Sequence, residues 1–207
     1  MQGLIGRKVG MTRVFDKDTG RATPVTIVHV GENVVQQVKT VEKDGYSAVQ
    51  LGFDPAREKS FNKAELGQFK KAGSEPLRIV REFPLDEGET LVPGQKITVD
   101  LFAGVQVIDV IGFNKGRGFA GTVKHYNFHI GRQTHGNSNR RERGSLGAST
   151  YPARVFPGLK MAGRWGDARI TLKNSEIVKI DAETGLVYVK GGVPGGRNGL
   201  VFLRKLK

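Results

Sequence analysis

Residues 113–167 divide the chain into two parts, and their sequence is FNKGRGFAGTVKHYNFHIGRQTHGNSNRRERGSLGASTYPARVFPGLKMAGRWGD. This segment contains ten Lys or Arg, two acids and ten glycines. Its apolar residues show no sustained period of 2 or of about 3.6, so neither an amphipathic strand nor an amphipathic helix is indicated. The segment cannot build a hydrophobic core alone, and the rest of the chain must supply one.

The part before this segment predicts several short strands. Four runs are rich in Val, Ile or Thr, namely 3–15, 24–30, 33–40 and 46–53. Turn residues separate them at Asp18-Thr19-Gly20, Gly31-Glu32-Asn33 and Asp44-Gly45. Strands at such close spacing favour an antiparallel sheet or barrel. The cations of the first run (Arg7, Lys8 and Arg13) could face RNA, but ordinary solvated strand positions are the slightly favoured interpretation.

Residues 61–73 carry the signals of a short helix. Asn62 can cap the helix together with Glu65 three residues later, and Gly73 is a natural stop. Lys70 and Lys71 fall in the last turn, where the helix dipole favours cations. These two lysines therefore have a structural explanation that requires no ligand.

Strand patterns resume after this helix and again after residue 167. Before the segment they cover 77–83, 96–102 and 105–112, with turns at 86–89 and 92–95. After it they begin at Arg169, with a hairpin turn predicted at 181–185 and a glycine-rich break at 191–196. Because strands lie on both sides, we expect one mainly β domain from residues 1–112 and 168–207. It would be a barrel or a sandwich, with residues 113–167 inserted as a long irregular basic extension.

Charge and composition narrow the possible partners. The net charge is +13 over 207 residues, and there is no cysteine. RNA, DNA and an anionic membrane are candidate partners for such a cationic chain. No apolar run approaches the roughly 18 residues of a membrane-spanning helix, and no signal or transit peptide is visible, so we expect no membrane partner and a cytoplasmic location.

The composition of residues 113–167 favours nucleic acid. Cations neutralise phosphates, aromatic rings stack on unpaired bases, and glycines allow close backbone approach. The segment holds seven Phe, Tyr or Trp residues. Disordered segments are generally poor in aromatics, although disorder of the isolated segment remains the alternative.

Three catalytic or cofactor-binding interpretations have less support from the sequence than nucleic-acid binding. Residues 116–121 match the G-x-G-x-x-G pattern, but dinucleotide binding also requires a second parallel strand and a ribose-binding acid about 20 residues further on. His125 and His129 stand four apart, but zinc would need further ligands. Ser138 and its neighbours lack a nucleophile-elbow context. We therefore expect no enzymatic activity, no cofactor, no metal and no small-molecule substrate.

Six motifs carry a resemblance to a known family. They are GLIGRKVGMT (3–12), KGRGFAGTVK (115–124), THGNS (134–138), GSLG (144–147), KMAGRWG (160–166) and VKGGVPG (189–195). In this order they resemble the L-three family of large-subunit ribosomal proteins, in its bacterial or organellar form, essentially from end to end.

The resemblance implies both a fold and a function. The expected fold is a closed β-barrel of the type shared with translation factors. The expected function is that of a structural constituent of the large ribosomal subunit, which binds the 23S-type rRNA early in assembly and contacts neighbouring ribosomal proteins. The extension would penetrate the rRNA towards the peptidyl transferase centre, with residues 144–154 at its tip, and would shape that RNA without performing chemistry.

The residues expected to contact rRNA combine the cations of the segment with polar residues of these motifs. They are Lys115, Arg117, Lys124, His125, Arg132, His135, Asn137, Arg140, Arg141, Arg143, Ser145, Thr150, Arg154, Lys160, Arg164 and Trp165. Two of them depart from the family pattern. Thr150 stands where members commonly have a glutamine that is methylated in some, so this modification is not expected. His125 stands where members often have arginine, which would weaken that contact.

Overall fold

The computed structural model describes residues 2–16, 20–86 and 89–206. Two of the turns expected from the sequence are only partly covered by these ranges. Asp18 and Thr19 of the first turn, and the middle of the acidic turn at 86–89, lie outside the described residues.

The described chain is built mostly of strands. They are β1 (Gly3–Phe15), β2 (Ala22–His29), β3 (Asn33–Lys39), β4 (Ala48–Pro55), β5 (Leu77–Pro84), β6 (Lys96–Ile97), β7 (Val107–Phe113), β8 (Gly118–Ala120), β9 (Gly163–Trp165), β10 (Arg169–Asp181), β11 (Leu186–Lys190) and β12 (Leu200–Lys205). The helices are α1 (Val41–Asp44), α2 (Lys63–Ala72) and α3 (Thr122–Tyr126), with 3₁₀ turns at Glu58–Ser60 and Val99–Phe102.

Six strands close a barrel in the order β1-β12-β7-β10-β11-β2. Each neighbouring pair is antiparallel, and β1 closes the ring because its first half pairs with β12 and its second half with β2. The interior is filled by buried aliphatic side chains such as Leu4, Val28, Val110, Val187 and Leu203. The predicted mainly β fold with a closed barrel is thus confirmed, and the barrel draws strands from both sides of residues 113–167.

A separate four-stranded sheet, in the order β5-β4-β3-β6, adjoins the same hydrophobic core. Val35, Val49, Leu51 and Phe53 are almost completely buried in that core. The sequence predicted these strands but not their assembly into a second sheet. Alternation of side chains indicates which face of a strand is buried, whereas strand pairing depends on distant parts of the chain.

Helix α2 begins and ends at the predicted residues. Asn62 accepts a hydrogen bond from the Glu65 backbone N–H, and the Glu65 carboxylate accepts one from the Asn62 N–H. Gly73 ends the helix in the left-handed conformation with φ 66°. The rings of Phe61 and Phe69 meet edge to face at 5.3 Å. Local capping signals therefore determine this helix.

The strand expected at 96–102 is wrong beyond Ile97. Strand β6 contains two residues, and Val99–Phe102 forms a 3₁₀ turn. Thr98 donates a hydrogen bond from Oγ1 to Asp100 at 2.5 Å, and the turn places both Val99 and Phe102 in the core at 1% and 0% exposure. Residues three apart share a face in a 3₁₀ turn, so core packing outweighs the strand propensity of this run.

A buried carboxylate stabilises an irregular part of the barrel. Asp109 on β7 is 2% exposed. It accepts a hydrogen bond from the Arg204 guanidinium at 2.8 Å and another from the Asn174 backbone N–H at 3.1 Å. Asn174 lies where the β7–β10 register shifts and has φ 55°. Burial raises the pKa of Asp109, but the hydrogen bonds from Arg204 and Asn174 outweigh burial and hold it below its usual value.

The chain divides into two compact units. One consists of residues 1–114 and 169–207, and the other of residues 115–168.

Within the described ranges, none of the helices is long and apolar enough to cross a membrane.

Candidate nucleic-acid interface

A short antiparallel ribbon forms the base of the unit at residues 115–168, which we call the basic unit. Strands β8 and β9 pair Gly118 with Trp165, Phe119 with Arg164, and Ala120 with Gly163. Alternation along β8 buries Ala120 at 5% exposure and leaves Phe119 80% exposed. The ribbon thus brings together the two ends of a segment that showed no periodicity.

Arg117 covers one face of Trp165. Its guanidinium carbon lies 4.0 Å from the ring centroid, within the range of a cation–π contact. The Arg117 backbone N–H also donates to the Trp165 carbonyl at 2.8 Å. Gly166 permits this approach, because a Cβ there would lie 2.3 Å from the Lys115 carbonyl oxygen and its φ of +79° disfavours side chains.

Helix α3 adds an aromatic stack beside this pair. The His125 ring stacks on Tyr126 at 4.1 Å and lies 5.5 Å from the Trp165 ring. Lys160 Nζ is 5.7 Å from the Tyr126 centroid. Four residues selected from the sequence, Arg117, His125, Lys160 and Trp165, therefore share one cluster. Tyr126, which the sequence did not select as a site residue, joins them.

A second cluster is the loop at residues 131–140. The Gly131 N–H donates to the Arg140 carbonyl at 2.9 Å, and the Asn137 side-chain amide donates to the Arg132 carbonyl at 2.9 Å. A Cβ at position 131 would lie 2.1 Å from the Asn139 carbonyl oxygen. These contacts hold the loop closed, with Arg132, Arg140 and their neighbours exposed on it. In the free protein, the Asn137 side chain therefore stabilises the closed conformation of this loop.

Four further selected residues have partners within the basic unit. Arg143 donates from Nε to the Lys160 carbonyl at 2.6 Å and so joins residues 17 apart in sequence. Arg154 lies over Phe156 with 5.6 Å between the guanidinium carbon and the ring centroid. Arg164 is paired with Asp167. Ser145 donates to the Gly147 carbonyl at 3.2 Å within a tight turn.

Most of the selected residues are accessible to a partner. The exposed ones are Lys115, Arg117, Lys124, Arg132, His135, Arg140, Arg141, Ser145, Thr150, Arg154, Lys160 and Arg164. The half-buried ones are His125, Asn137, Arg143 and Trp165. With Glu142 and Asp167 as its only acids, the basic unit presents cations that few internal carboxylates can neutralise.

Sequence reasoning did not select three exposed aromatic residues. Phe119 is 80% exposed, Tyr151 89% and Phe156 56%. Exposed aromatic rings are available to stack on unpaired bases. A signal was available for all three, because they belong to the seven aromatic residues of the segment that suit base stacking.

The glycine pattern at 116–121 does not form a dinucleotide fold. It covers the three-residue strand β8, which is antiparallel to β9, and ends at the N-terminus of the five-residue helix α3. Dinucleotide binding requires a parallel β-α-β unit. Among residues 2–16, 20–86 and 89–206, no group of three or more His, Asp or Glu side chains is placed to hold a metal ion.

Two cations near the N-terminus have partners within the protein. Arg7 pairs with Asp54 at 2.5 Å and donates to the Asn198 carbonyl at 3.2 Å. Lys8 donates from Nζ to the Val193 carbonyl at 2.7 Å. Both side chains attach β1 to the loop before β12, so their observed role is structural.

The fold and the basic unit define the class of protein. It is a mainly β protein with a closed barrel, and it carries an inserted unit that is rich in cations and poor in acids. Comparison with known proteins then identifies the family. A family model described as Ribosomal protein L3 matches residues 82–186, and the chain belongs to this family.

Relatives of similar length support this assignment. A protein of Petrotoga mobilis is 49% identical over 205 residues, which cover 99% of this chain and 95% of the relative. A protein of Thermosipho africanus is 50% identical over 207 residues, covering 100% and 99%. One of Pelotomaculum thermopropionicum is 50% identical over 204 residues, covering 99% and 96%. Each is named large ribosomal subunit protein uL3. The family resemblance inferred from the motifs is confirmed.

Proposed function

We propose that this chain is a structural, non-enzymatic constituent of the large ribosomal subunit and that it binds large-subunit rRNA directly. The barrel domain, residues 1–112 and 168–207, docks on the subunit. The extension at 113–167 enters the rRNA and helps to organise it near the peptidyl transferase centre. The chain acts early in subunit assembly, resides in the cytoplasmic ribosome and contacts neighbouring ribosomal proteins.

The observation that carries this proposal is the exposed cationic surface of the basic unit. Ten Lys or Arg stand against two acids between residues 113 and 167, and Arg132, Arg140 and Arg141 are exposed on or beside a closed loop. Each cation that reaches a phosphate releases condensed counterions, which favours binding of a polyanion without requiring a particular base sequence.

Aromatic residues add the second part of an RNA interface. Phe119 and Tyr151 offer open ring faces to unpaired bases, and stacking on an aromatic ring contributes about 1–3 kcal/mol per base. Trp165 plays a different part, because Arg117 already covers one of its faces. In this proposal Trp165 positions the Arg117 guanidinium for a phosphate.

Sedimentation of cell lysate on a sucrose gradient tests the proposal. The intact chain is compared with a variant in which residues 125–160 are replaced by a short Gly/Ser linker. We expect the intact chain to migrate with large subunits. We expect the shortened chain still to bind them but to leave them slow in peptide-bond formation, because the barrel docks and the extension orders the catalytic RNA.

The opposite result has a defined meaning. If the intact chain stays at the top of the gradient at low salt, the ribosomal role is wrong. A free RNA-binding module would then account for the same basic unit. If the shortened chain supports full peptide-bond formation, the barrel is the functional part and the role assigned to the extension is wrong.

A further inference from the structure

Strand β1 has a free edge along its second half. Its residues 3–7 pair with β12, and its residues 7–15 pair with β2. On the β12 side, the last backbone bonds are those of Lys8, which donates to the Gly199 carbonyl at 2.9 Å and accepts from the Asn198 N–H at 2.8 Å. Beyond Lys8, no described residue bonds to that edge of β1. Backbone groups of the second half are therefore available to a partner.

The hydrogen-bond pattern identifies which backbone groups face this free edge. The Asp16 N–H donates to the Arg21 carbonyl at 3.0 Å, so these two residues form a hydrogen-bonded pair at the end of the β1–β2 ribbon. Hydrogen-bonded and non-hydrogen-bonded pairs alternate along an antiparallel ladder. Met11, Arg13 and Phe15 therefore fall at non-hydrogen-bonded pairs and direct their backbone N–H and C=O groups away from β2. The free edge presents donors and acceptors in alternation.

The end of this ribbon has only two strands. Pro24 lies opposite Arg13, and its carbonyl accepts from the Gly191 N–H at 2.8 Å, on the side away from β1. That is the last backbone bond of β2 to the rest of the barrel among the described residues, since the ladder with β11 begins at Val25. A two-stranded ribbon is only marginally stable alone in water, so a third strand would stabilise it.

The side chains along the free edge are apolar on both sides of one cation. Met11 is 56% exposed and Phe15 is 67% exposed. Arg13 stands between them on the same face of the strand, because side chains two residues apart point to the same side. Arg13 is exposed and has no carboxylate partner among the described residues. A strand with apolar residues opposite Met11 and Phe15 and an acid opposite Arg13 would match this face.

A polypeptide strand fits this edge better than RNA does. Phosphate oxygens could accept from the outward N–H groups, but the carbonyl oxygens that alternate with those N–H groups would repel them. A polypeptide backbone supplies both donors and acceptors at the matching spacing. A second copy of this chain fits poorly, because the antiparallel register that pairs Met11 with Phe15 sets two Arg13 side chains against each other. Like charges directly opposite in a sheet are destabilising.

We infer that the free edge of β1 receives an extended segment of a neighbouring large-subunit protein. The segment adds a strand beside Met11, Arg13 and Phe15 and sets an acidic residue against Arg13. Strand addition of this kind obtains affinity from main-chain hydrogen bonds and specificity from alternate side chains. The inference rests on the proposed function and extends it, because it assigns one protein contact to a defined strand.

Hydrogen exchange resolved to single amides tests the inference without any substitution. In the free chain, the Met11, Arg13 and Phe15 amides should exchange fast, whereas the Thr12 and Val14 amides, which face β2, should exchange slowly. In assembled large subunits, strand addition should slow the three outward amides by about tenfold or more, as expected for new main-chain hydrogen bonds. Unchanged fast exchange of these three amides in assembled subunits would overturn the inference.

A photo-crosslinker at position 15 identifies the occupant. Because Phe15 is exposed, p-benzoylphenylalanine can replace it without altering the barrel core. After irradiation of assembled large subunits, we expect an adduct with a segment of another subunit protein that carries an acid near the attachment point. An adduct with rRNA, or a covalent dimer of two copies of this chain, would show a different occupant and would overturn the inference.

Charge reversal tests the pairing of Arg13. Arg13→Glu should lower the yield of the position-15 adduct by about fivefold, because a favourable cross-strand charge pair becomes a repulsive one. Changing the crosslinked acid of the neighbour to Lys should restore the yield. Lys59→Glu is the matched control, since it makes the same charge change at an exposed residue outside β1. Equal yields for Arg13→Glu and Lys59→Glu would contradict the inference.

Sedimentation keeps the two proposals distinct. If the chain migrates with large subunits while the Met11, Arg13 and Phe15 amides still exchange fast, only the strand addition is wrong. If the chain does not migrate with large subunits, the proposed function is wrong. The inference then fails with it, because it names a protein of that subunit as the partner.

Discussion

At the scale of single residues, Asp109 shows how the protein stabilises the one buried acid among its described residues. The carboxylate is nearly enclosed, yet it is the acceptor for both Arg204 and the backbone of Asn174. An unpartnered charge at this depth would be strongly destabilising. Through these two hydrogen bonds, Asp109 stabilises the irregular part of β10.

The pH dependence of stability follows from Asp109. Its folded pKa lies below its unfolded value, so its contribution is present above about pH 4 and is lost as the pH falls through the folded pKa. Asp109→Asn should lower the free energy of unfolding at pH 7 by about 1–3 kcal/mol. The loss should shrink near pH 3. Urea unfolding at both pH values measures it.

The control for Asp109 is Asp44→Asn, a change at an exposed residue. It should alter the unfolding free energy by less than about 0.5 kcal/mol. If the Asp109→Asn difference is the same at pH 3 and pH 7, the carboxylate charge is not what stabilises the barrel.

Trp165 provides an optical test of a second residue contact, because it is the only tryptophan of the chain. Arg117→Gln should uncover the ring face that the guanidinium covers at 4.0 Å. We expect a red shift of emission and stronger acrylamide quenching. Arg164→Gln is the control, since Arg164 pairs with Asp167 and makes no stacking contact with the ring among the described residues. Identical spectra for all three chains would contradict the contact.

At the scale of elements, the β8–β9 ribbon is the part of the basic unit that could not be predicted from the sequence. Gly118 and Trp165 pair across the ribbon although 46 residues separate them in sequence. The backbone then places Arg117 against Trp165, and α3 follows directly with His125 and Tyr126. A small regular element thus orders a longer irregular segment.

Two glycine substitutions test the ribbon. Gly166→Ala should disrupt it, because the new Cβ would lie 2.3 Å from a carbonyl oxygen and φ is +79°. The conformational cost alone is about 1–2 kcal/mol. We expect altered Trp165 emission and weaker rRNA retention. Gly163→Ala, where a Cβ would meet nothing within 4 Å, should change neither. Equal behaviour of the two variants would show that the ribbon does not support binding.

How much the sequence predicts depends on how local the determining contacts are. Asn62, Glu65 and Gly73 lie within 12 residues, and they correctly predict α2. The path of residues 98–102 depends on core packing of Val99 and Phe102, and the strand prediction there is wrong. The cations of the candidate site are visible in composition. The Arg117–Trp165 contact requires the long-range ribbon, so it could not be predicted.

At the scale of the whole molecule, charge is distributed unevenly between the two units. The net charge is +13, and residues 113–167 supply eight of it as the difference between ten cations and two acids. Such a field attracts polyanions over several ångströms and is screened by salt. The dependence of rRNA affinity on salt therefore reports which cations reach phosphates.

The salt dependence can be assigned to particular arginines. Changing Arg132, Arg140 and Arg141 together to Gln should reduce the slope of log affinity against log salt by about 2–3, at roughly 0.7–0.9 per phosphate contact. Filter binding between about 50 and 200 mM salt measures this slope. The control changes Lys59, Lys63 and Lys70 to Gln, which removes equal charge outside the basic unit. Equal slopes for both triple variants would contradict the assignment.

The barrel cannot close until strand β12, which follows the basic unit in the chain, has been synthesised. Gly3 pairs with Arg204, and β12 fills the place between β1 and β7. A nascent chain therefore exposes its entire basic unit before the last wall of the barrel exists. Contacts so distant in sequence form slowly, so the newly made protein passes through a stage in which the barrel still has an open strand edge and the cationic segment has already been synthesised. In the proposed function, RNA can therefore bind that segment before the barrel closes.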